Sequence, residues 1–502
     1  MLAVVGLSLL LALLLSPPAP PSALETIPAP PTPAASPLPA ELAGVWAGEV
    51  THDGETTPFA LELEPGADGK VLVKATVPAA HLVRTPLGRV SPEVNGRELK
   101  LGPFAFTYDP GAKTLAGVVP EELAPVYRLP LLLRRAVQVE PPARAEPGGT
   151  LASPVWTFDA GAPLWPGPTV AHGVVFVGGQ DGQLHAIDGR SGQKRWSFRA
   201  GGPVRTRPGI VRDALVFQAD DGYLYKLDAA TGVEAWRVPL VSKPIERLPF
   251  DNPKSRYDRF GSDVTVGGGR LYVGTHDGHV VALDPAKGER LWDFATGDSV
   301  LATPALDSGR VYAGSYDKSV YALDAATGAL LWKRATEGAV VSTPAVAGDL
   351  VVVGNRAYDL LGLRAATGEV AWKRYVWFSW IESSAVVVDG VAYVGSSDAA
   401  LVLAVDAKSG RPLWQADVYG WAWGQPAVTD GRVYVGTSSQ AGYPSSHRAG
   451  VMALDRASGK AVWRYESPAA ASGAFGFPGS PAVGEGFVFV SGLDGRLYAF
   501  RL

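Results

Sequence analysis

The sequence predicts an all-β protein, an eight-bladed β-propeller preceded by a small antiparallel β-barrel or sandwich. Three observations carry this. Of 502 residues, 59 are glycine and 42 proline while only 19% are charged, the composition of a chain with many tight turns between short strands. From about residue 151 the chain repeats, each repeat closing on a tryptophan: Trp156, Trp196, Trp236, Trp292, Trp332, Trp372, Trp414 and Trp463, at spacings of 40, 40, 56, 40, 40, 42 and 49. In the plainest repeat, TPALDSGRVYAGSYDKSVYALDAATGALLW (303–332), the turns DSG, SYDKS and DAATG separate four apolar stretches, and four short strands in about 40 residues make a propeller blade.

The elements follow in order. Residues 2–15 are apolar apart from Gly6 and Ser8 and run straight into Ser16, Pro17 and Pro18. That stretch is too short for a spanning helix of about 20 residues and reads as the apolar part of a secretory signal, expected over 1–23, although no Lys or Arg precedes it. An uncleaved anchor is the alternative. Residues 24–40 form a Pro/Ala-rich linker without material for a core. Residues 41–140 alternate apolar and polar positions, as at Phe59, Leu61 and Leu63 and at Val71, Val73, Ala75 and Val77, which is the period of half-buried strands; a final strand is expected at 127–134. This stretch, from GVWAGEV to LLLRR, resembles the lipocalin-like β-domain at the front of some secreted bacterial hydrolases. Residues 141–150 are a second linker, and 151–502 the propeller.

The blade count depends on the two ends of the repeat region. The last copy stops at Leu502, one strand short, while Pro154 to Phe158 is an outermost strand without a blade. Pairing the two closes the ring at eight blades and leaves no open edge to aggregate. The segments YALDAATGALLW, HAIDGRSGQKRW, YKLDAATGVEAW, VALDPAKGERLW, LAVDAKSGRPLW and MALDRASGKAVW resemble the tryptophan-docking repeat of the PQQ-like (pyrroloquinoline-quinone repeat) propellers. In each, the Asp caps a turn, the Gly takes positive φ and the Trp packs between blades, all structural roles. The fifth blade departs, with Arg364 in place of the Asp.

Function is sought where the repeats fail. Twelve residues separate Trp292 from Pro304, but 27 separate Trp236 from Asp263 and 18 separate Trp463 from Pro481. The extra length holds residues 243–263 and 467–480, and the second turn of blade seven is extended over 437–450. Propeller topology sends all three to one face, and long loops on a rigid scaffold are where binding resides. Unusual residues gather on the same face: Arg207, Arg256, Tyr257, Arg259, Asp263, Asn355, Arg356, Trp377, Trp380, Glu382, Ser383, Asp398, Trp421, Trp423 and Gln425. A few polar groups among indoles near a channel mouth describe a ligand or partner site. The plainer reading is that the charges pair with one another to fix the register of the ring.

A net charge of −4 excludes the basic field of a nucleic-acid binder, and the absence of cysteine excludes disulfides, thiolate metal sites and a lipidated N-terminal Cys. Seven histidines show no metalloprotease spacing; the HDGH at 276–279 is read as a tight turn. The expectation is a non-catalytic, periplasmic or secreted binding scaffold of the cell envelope, monomeric or part of a hetero-complex, holding an envelope protein or small ligand on its loop-rich face, with no cofactor and no membrane span after signal removal. It resembles the PQQ-like propeller subunit of the outer-membrane β-barrel assembly machinery, while lacking that subunit's lipid-bearing Cys. One alternative is a PQQ- and Ca²⁺-dependent quinoprotein dehydrogenase, with Trp380 or Trp423 as the floor under the quinone and Glu382, Asn355 and Asp263 or Asp398 as oxygen ligands. The other is a glycan or small-ligand sensor.

Overall fold

The computed structural model describes residues 38–52, 54–120, 127–137, 139, 144–248, 258–443 and 447–502. The expected signal lies outside them. They divide into two compact units, the first comprising the residues up to Ala145 together with Tyr443, and the second the remainder.

The first unit is a nine-stranded antiparallel sheet: β1 (Gly44–His52), β2 (Glu55–Pro65), β3 (Val71–Val77), β4 (Leu82–Val90), β5 (Pro92–Asn95), β6 (Glu98–Leu101), β7 (Phe104–Asp109), β8 (Thr114–Val118) and β9 (Pro130–Ala136). Its order is β4-β3-β2-β1-β9-β8-β7-β6-β5, so the last strand pairs with the first and the sheet curls toward a barrel. The period-two pattern places Trp46, Phe59, Leu61, Leu63, Val71, Val73, Phe104, Phe106 and Leu133 in the interior. The final strand begins at Pro130 rather than at 127, because proline lacks the N–H that a paired strand interior needs and is admitted at a strand's first residue.

The second unit is the eight-bladed propeller. Blade four shows the plan: an inner strand Ala305–Asp307, then Arg310–Ser315, Ser319–Asp324 and the outer strand Leu330–Ala335, all antiparallel. The two middle strands are buried except at Arg310 and Asp324, and Val311, Ala313, Tyr321 and Leu323 pack with Tyr272, Val280 and Ala282 of blade three. The last turn of the blade explains the repeat signature. Asp324 Oδ1 accepts the N–H groups of Ala326 (3.1 Å) and Thr327 (2.8 Å) and the Thr327 hydroxyl (2.7 Å), which holds its carboxyl below the usual range. Gly328 sits at φ +74°, and a Cβ there would stand 2.7 Å from the ring of Trp292, the tryptophan that ends blade three. Trp292 Nε1 donates to Ala325 O at 3.1 Å, and seven of the eight repeat tryptophans, Trp156 to Trp414, meet the last-turn glycine of the following blade. Blade five keeps the turn without the carboxylate: the Thr367 and Gly368 N–H groups bond to Arg364 O, at 3.2 and 2.8 Å, and Gly368 still meets Trp332.

Ring closure uses both ends of the repeat region. After a short strand β10 (Thr150–Leu151), strand β11 (Trp156–Asp159) pairs antiparallel with Arg496–Arg501, with Trp156 opposite Ala499, and supplies the outer strand of blade eight. Strand β10 itself pairs in parallel with Ala461–Glu466, a fifth strand on blade seven that the sequence did not suggest. Among the described residues no helix is long and apolar enough to cross a membrane.

Candidate functional site

The position at which each blade enters its inner strand lies next to the ring axis. Gly167, Arg207, Asp263, Thr303, Thr343, Ser384, Gln425 and Ser480, one from each blade, line a single cavity of about 520 Å³ counted to its open mouth. The TP and SP dipeptides of the repeat have a purpose here. Backbone N–H groups reach from one blade to the side-chain oxygen of the next: Arg207 to Asp263 Oδ1 (2.6 Å), Asp263 to Thr303 Oγ1 (2.9 Å), Thr303 to Thr343 Oγ1 (3.2 Å), Thr343 to Ser384 Oγ (2.8 Å) and Gln425 to Ser480 Oγ (3.0 Å). This relay is a hydrogen-bonded washer around the channel. At blades six and seven it is replaced by Gln425 Nε2 donating to Ala385 O at 3.0 Å.

Asp263 therefore stands where its neighbours carry hydroxyls. Burial raises its carboxyl to about 6, against the opposing pull of the Arg207 charge and the Arg207 N–H. Ser383 does not face the channel; its hydroxyl accepts Gly395 N–H (3.0 Å) and donates to Gly424 O (2.9 Å), as Ser342 accepts Gly354 N–H (2.9 Å) one blade earlier. Asn355 is equally occupied, its Oδ1 accepting the N–H groups of Ala357 (2.8 Å) and Asp359 (3.0 Å) within its own turn.

Around this ring stand two buried charge clusters. In the first, Arg356 Nε donates to Glu382 Oε1 at 2.6 Å, and its guanidinium lies 4.6 Å from the Trp380 ring and 5.0 Å from Tyr316. In the second, Asp220 takes Arg205 Nε at 2.7 Å and both Arg247 Nε and an Arg247 terminal nitrogen at 2.9 Å. Arg247 belongs to the long insertion before blade three, as does Asp258, whose carboxylate meets His276 Nε2 at 2.7 Å. Burial works against Asp258, yet the His276 bond and the Arg247 charge hold its carboxyl below the usual range. His276 lies in the turn that HDGH was read to form, with Gly278 at φ +96°. Arg205, Asp220, Arg247 and Asp258 were not singled out from sequence; the only signal was the insertion carrying two of them.

The aromatic residues separate. Trp421 and Trp423 stack at 4.7 Å and 12°, with Trp421 Nε1 bonded to Asp398 Oδ1 (3.0 Å) and Trp423 Nε1 to Ser397 Oγ (3.2 Å), and Trp423 reaches the cavity. Trp377 instead packs edge-on against Tyr375 at 5.0 Å, and Arg259 covers Trp165 at 5.4 Å. Arg256 and Tyr257 lie outside the described residues. The other two insertions meet directly: Ser438–Gln440 of blade seven pair antiparallel with Ala474–Gly476, ahead of blade eight.

The repeat pattern, the tryptophan docking and the eight blades agree with one family, whose model, outer membrane protein assembly factor BamB, matches residues 148–248, 246–378 and 376–502. The chain belongs to the BamB family. Among solved structures the BamB-family propeller is similar to BamB from Moraxella catarrhalis, at 19% identity and a TM-score of 0.54, covering 70% of this chain and 100% of that one. It is similar also to the quinohemoprotein alcohol dehydrogenase from Comamonas testosteroni, at 14% identity and a TM-score of 0.53 over 70% of this chain and 76% of that one. A europium-containing methanol dehydrogenase gives 14% identity and a TM-score of 0.53, covering 71% and 95%. At these identities the structural likenesses speak to fold alone. No curated protein matches the sequence.

At the Trp380 position the residues of this BamB-family ring do not fit the quinone and Ca²⁺ of the dehydrogenases. The Trp380 face is covered by Arg356, Glu382 is paired with that arginine, and Asn355 Oδ1 caps its own turn. Among the described residues no three His, Cys, Asp or Glu side chains converge as a metal site.

Proposed function

We propose that this chain is a non-catalytic binding scaffold of the cell envelope, whose loop-rich propeller face holds a partner protein. One observation carries the reading: the insertion before blade three meets the second turns of neighbouring blades, and the insertions of blades seven and eight meet each other. The insertion before blade three is tied to the second turns of blades two and three through Arg247–Asp220 and Asp258–His276, and the insertions of blades seven and eight share a strand pair. Among the described residues the other side carries short turns, such as Gly268–Gly269 and Gly309. The family description, which names outer membrane protein assembly, supports an envelope setting. On this reading the two buried charge clusters hold the loops in place for binding.

Leu248, 42% exposed on the first insertion, and Asp349, a 76%-exposed side chain on the opposite side, separate the faces. Affinity capture from envelope extract is expected to lose its partner with Leu248→Glu and to keep it with Asp349→Lys. Equal effects of the two substitutions would remove the case for a binding face. Titration with PQQ and Ca²⁺, followed by tryptophan fluorescence, is expected to give no response; tight binding abolished by Glu382→Ala would establish the dehydrogenase reading instead.

A further inference from the structure

Beyond the junction of blades six and seven, where Gln425 Nε2 bonds Ala385 O instead, the hydrogen-bonded washer is interrupted at two successive junctions on one arc of the ring. Gly167 has no side chain to receive the N–H of Ser480, and Arg207, with five donors and no acceptor, cannot receive the N–H of Gly167. Among the described residues neither N–H makes a hydrogen bond, and the Arg207 guanidinium forms no ion pair. Glycine is required at the first gap, since a Cβ at Gly167 would stand 2.3 Å from Ser480 O. The acceptor cannot be restored there by the protein itself.

All three residues line the central cavity, where a solvated ligand has access. We propose that this arc, formed by the Ser480 and Gly167 N–H groups and the Arg207 guanidinium, is a binding site for a small oxyanion, a carboxylate or a phosphate. Two adjacent main-chain donors beside a guanidinium form the donor set that such an anion takes, and the charge-assisted bonds are the stronger kind. The surrounding charges permit it. Glu382, across the cavity, is neutralised by Arg356 at 2.6 Å, and Arg205 brings a further cation behind Arg207, although Asp220 shares it. Asp263 faces Arg207 from blade three with one oxygen held by the Arg207 N–H, and its raised carboxyl is only partly ionised near pH 6. The bound anion would complete the washer at the two junctions where Gly167 and Arg207 offer no side-chain acceptor. The site is distinct from partner docking, because its ligand is a free ion.

Arg207→Thr is the decisive variant. It returns the residue found at Thr303 and Thr343, supplies an acceptor for the Gly167 N–H and removes the cation. Full-length protein titrated with inorganic phosphate and, separately, with acetate is expected to bind one or both, with a rise in Tm and a calorimetric signal. Arg207→Thr is expected to lower that affinity about tenfold or more while its ion-free Tm stays equal to or above that of the native chain. Arg207→Lys should retain weaker binding. Phosphate alone or acetate alone would distinguish a tetrahedral from a planar ligand within the same site. Binding of neither ion, or native affinity in Arg207→Thr, would overturn the assignment.

Discussion

Asp263 is a carboxylate in a threonine's place, and its energetics follow from that exchange. The hydroxyls of Thr303, Thr343 and Ser384 accept an inter-blade N–H at no cost in charge, whereas Asp263 does the same job with a group that burial pushes up to about 6 from an ordinary 3.8. The folded chain thus binds this proton more tightly than the unfolded chain does. Stability from this group is fully present below about pH 4 and is lost as pH rises through about 6. The charge that acts on it is that of Arg207 on blade two; Arg205 and Glu382, which is paired with Arg356, also line the cavity. Asp263→Thr is expected to remove this slope and to stabilise the protein at pH 7.5 by about 1 kcal/mol. That is less than the full 1.4 kcal/mol per pKa unit, because Asp263 is only partly buried and solvent in the channel screens it. Urea unfolding at pH 4.5 and 7.5 measures both; an unchanged slope in the variant would show that another group sets it.

At the scale of the blade, stability rests on a docking contact repeated around the ring. The glycine of each last turn is held against the preceding tryptophan, and the turn's carboxylate is an addition to that contact rather than its origin, since blade five forms the same turn around Arg364. Gly328→Ala combines a left-handed backbone at φ +74° with a Cβ 2.7 Å from the Trp292 ring, and is expected to cost about 2 kcal/mol or more. Arg364→Asp restores the missing cap and is expected to add about 0.5–1 kcal/mol; Arg364 gives up only an exposed contact to Asp349 at 3.6 Å. Thermal unfolding of the two variants tests the ranking, and a neutral Gly328→Ala would place the stability elsewhere. This contact also explains what was legible from the sequence. Tryptophan docking uses residues at fixed offsets in every repeat, so Asp, Gly and Trp spelled out the blade. The washer uses side chains of different kinds at one offset, Gly, Arg, Asp, Thr, Ser and Gln, and its logic shows only when successive blades are placed side by side. Arg356 covering Trp380 was hidden for a similar reason, because residues in two blades had to meet before the indole face was seen to be occupied. The first unit was readable where side chains alternate strictly, and its last strand was misjudged by three residues at Pro130.

For the whole ring, the question is what keeps eight blades from opening into a line. Seven blades carry four consecutive strands of their own, and the eighth borrows its outer strand from the start of the repeat region, so β11 is the closing element. Its hold combines the ladder with Arg496–Arg501, the packing of Trp156 against Phe489 at 5.7 Å, and the Trp156 ring against the last turn of blade one at Gly192. Phe158 is the position at which to break the ladder: it lies opposite Leu497 and, two residues before the Ala160 N–H that bonds Gly495 O, its own N–H points at Arg496–Arg501, whereas that of Thr157 points away. A proline there removes that ladder hydrogen bond, whereas alanine leaves the ladder intact and gives up only the packing of the ring. Phe158→Pro is therefore expected to raise amide exchange along Arg496–Arg501 selectively, to lower Tm further than Phe158→Ala does, and to produce oligomers through the freed edge of blade eight, with Phe158→Ala keeping native exchange along that strand. Were exchange to rise equally in every blade, the ring would be unfolding as one unit and β11 would have no special place in it. If instead exchange along Arg496–Arg501 stayed at the native level, inter-blade docking of Trp156 would be sufficient for closure without the strand pairing.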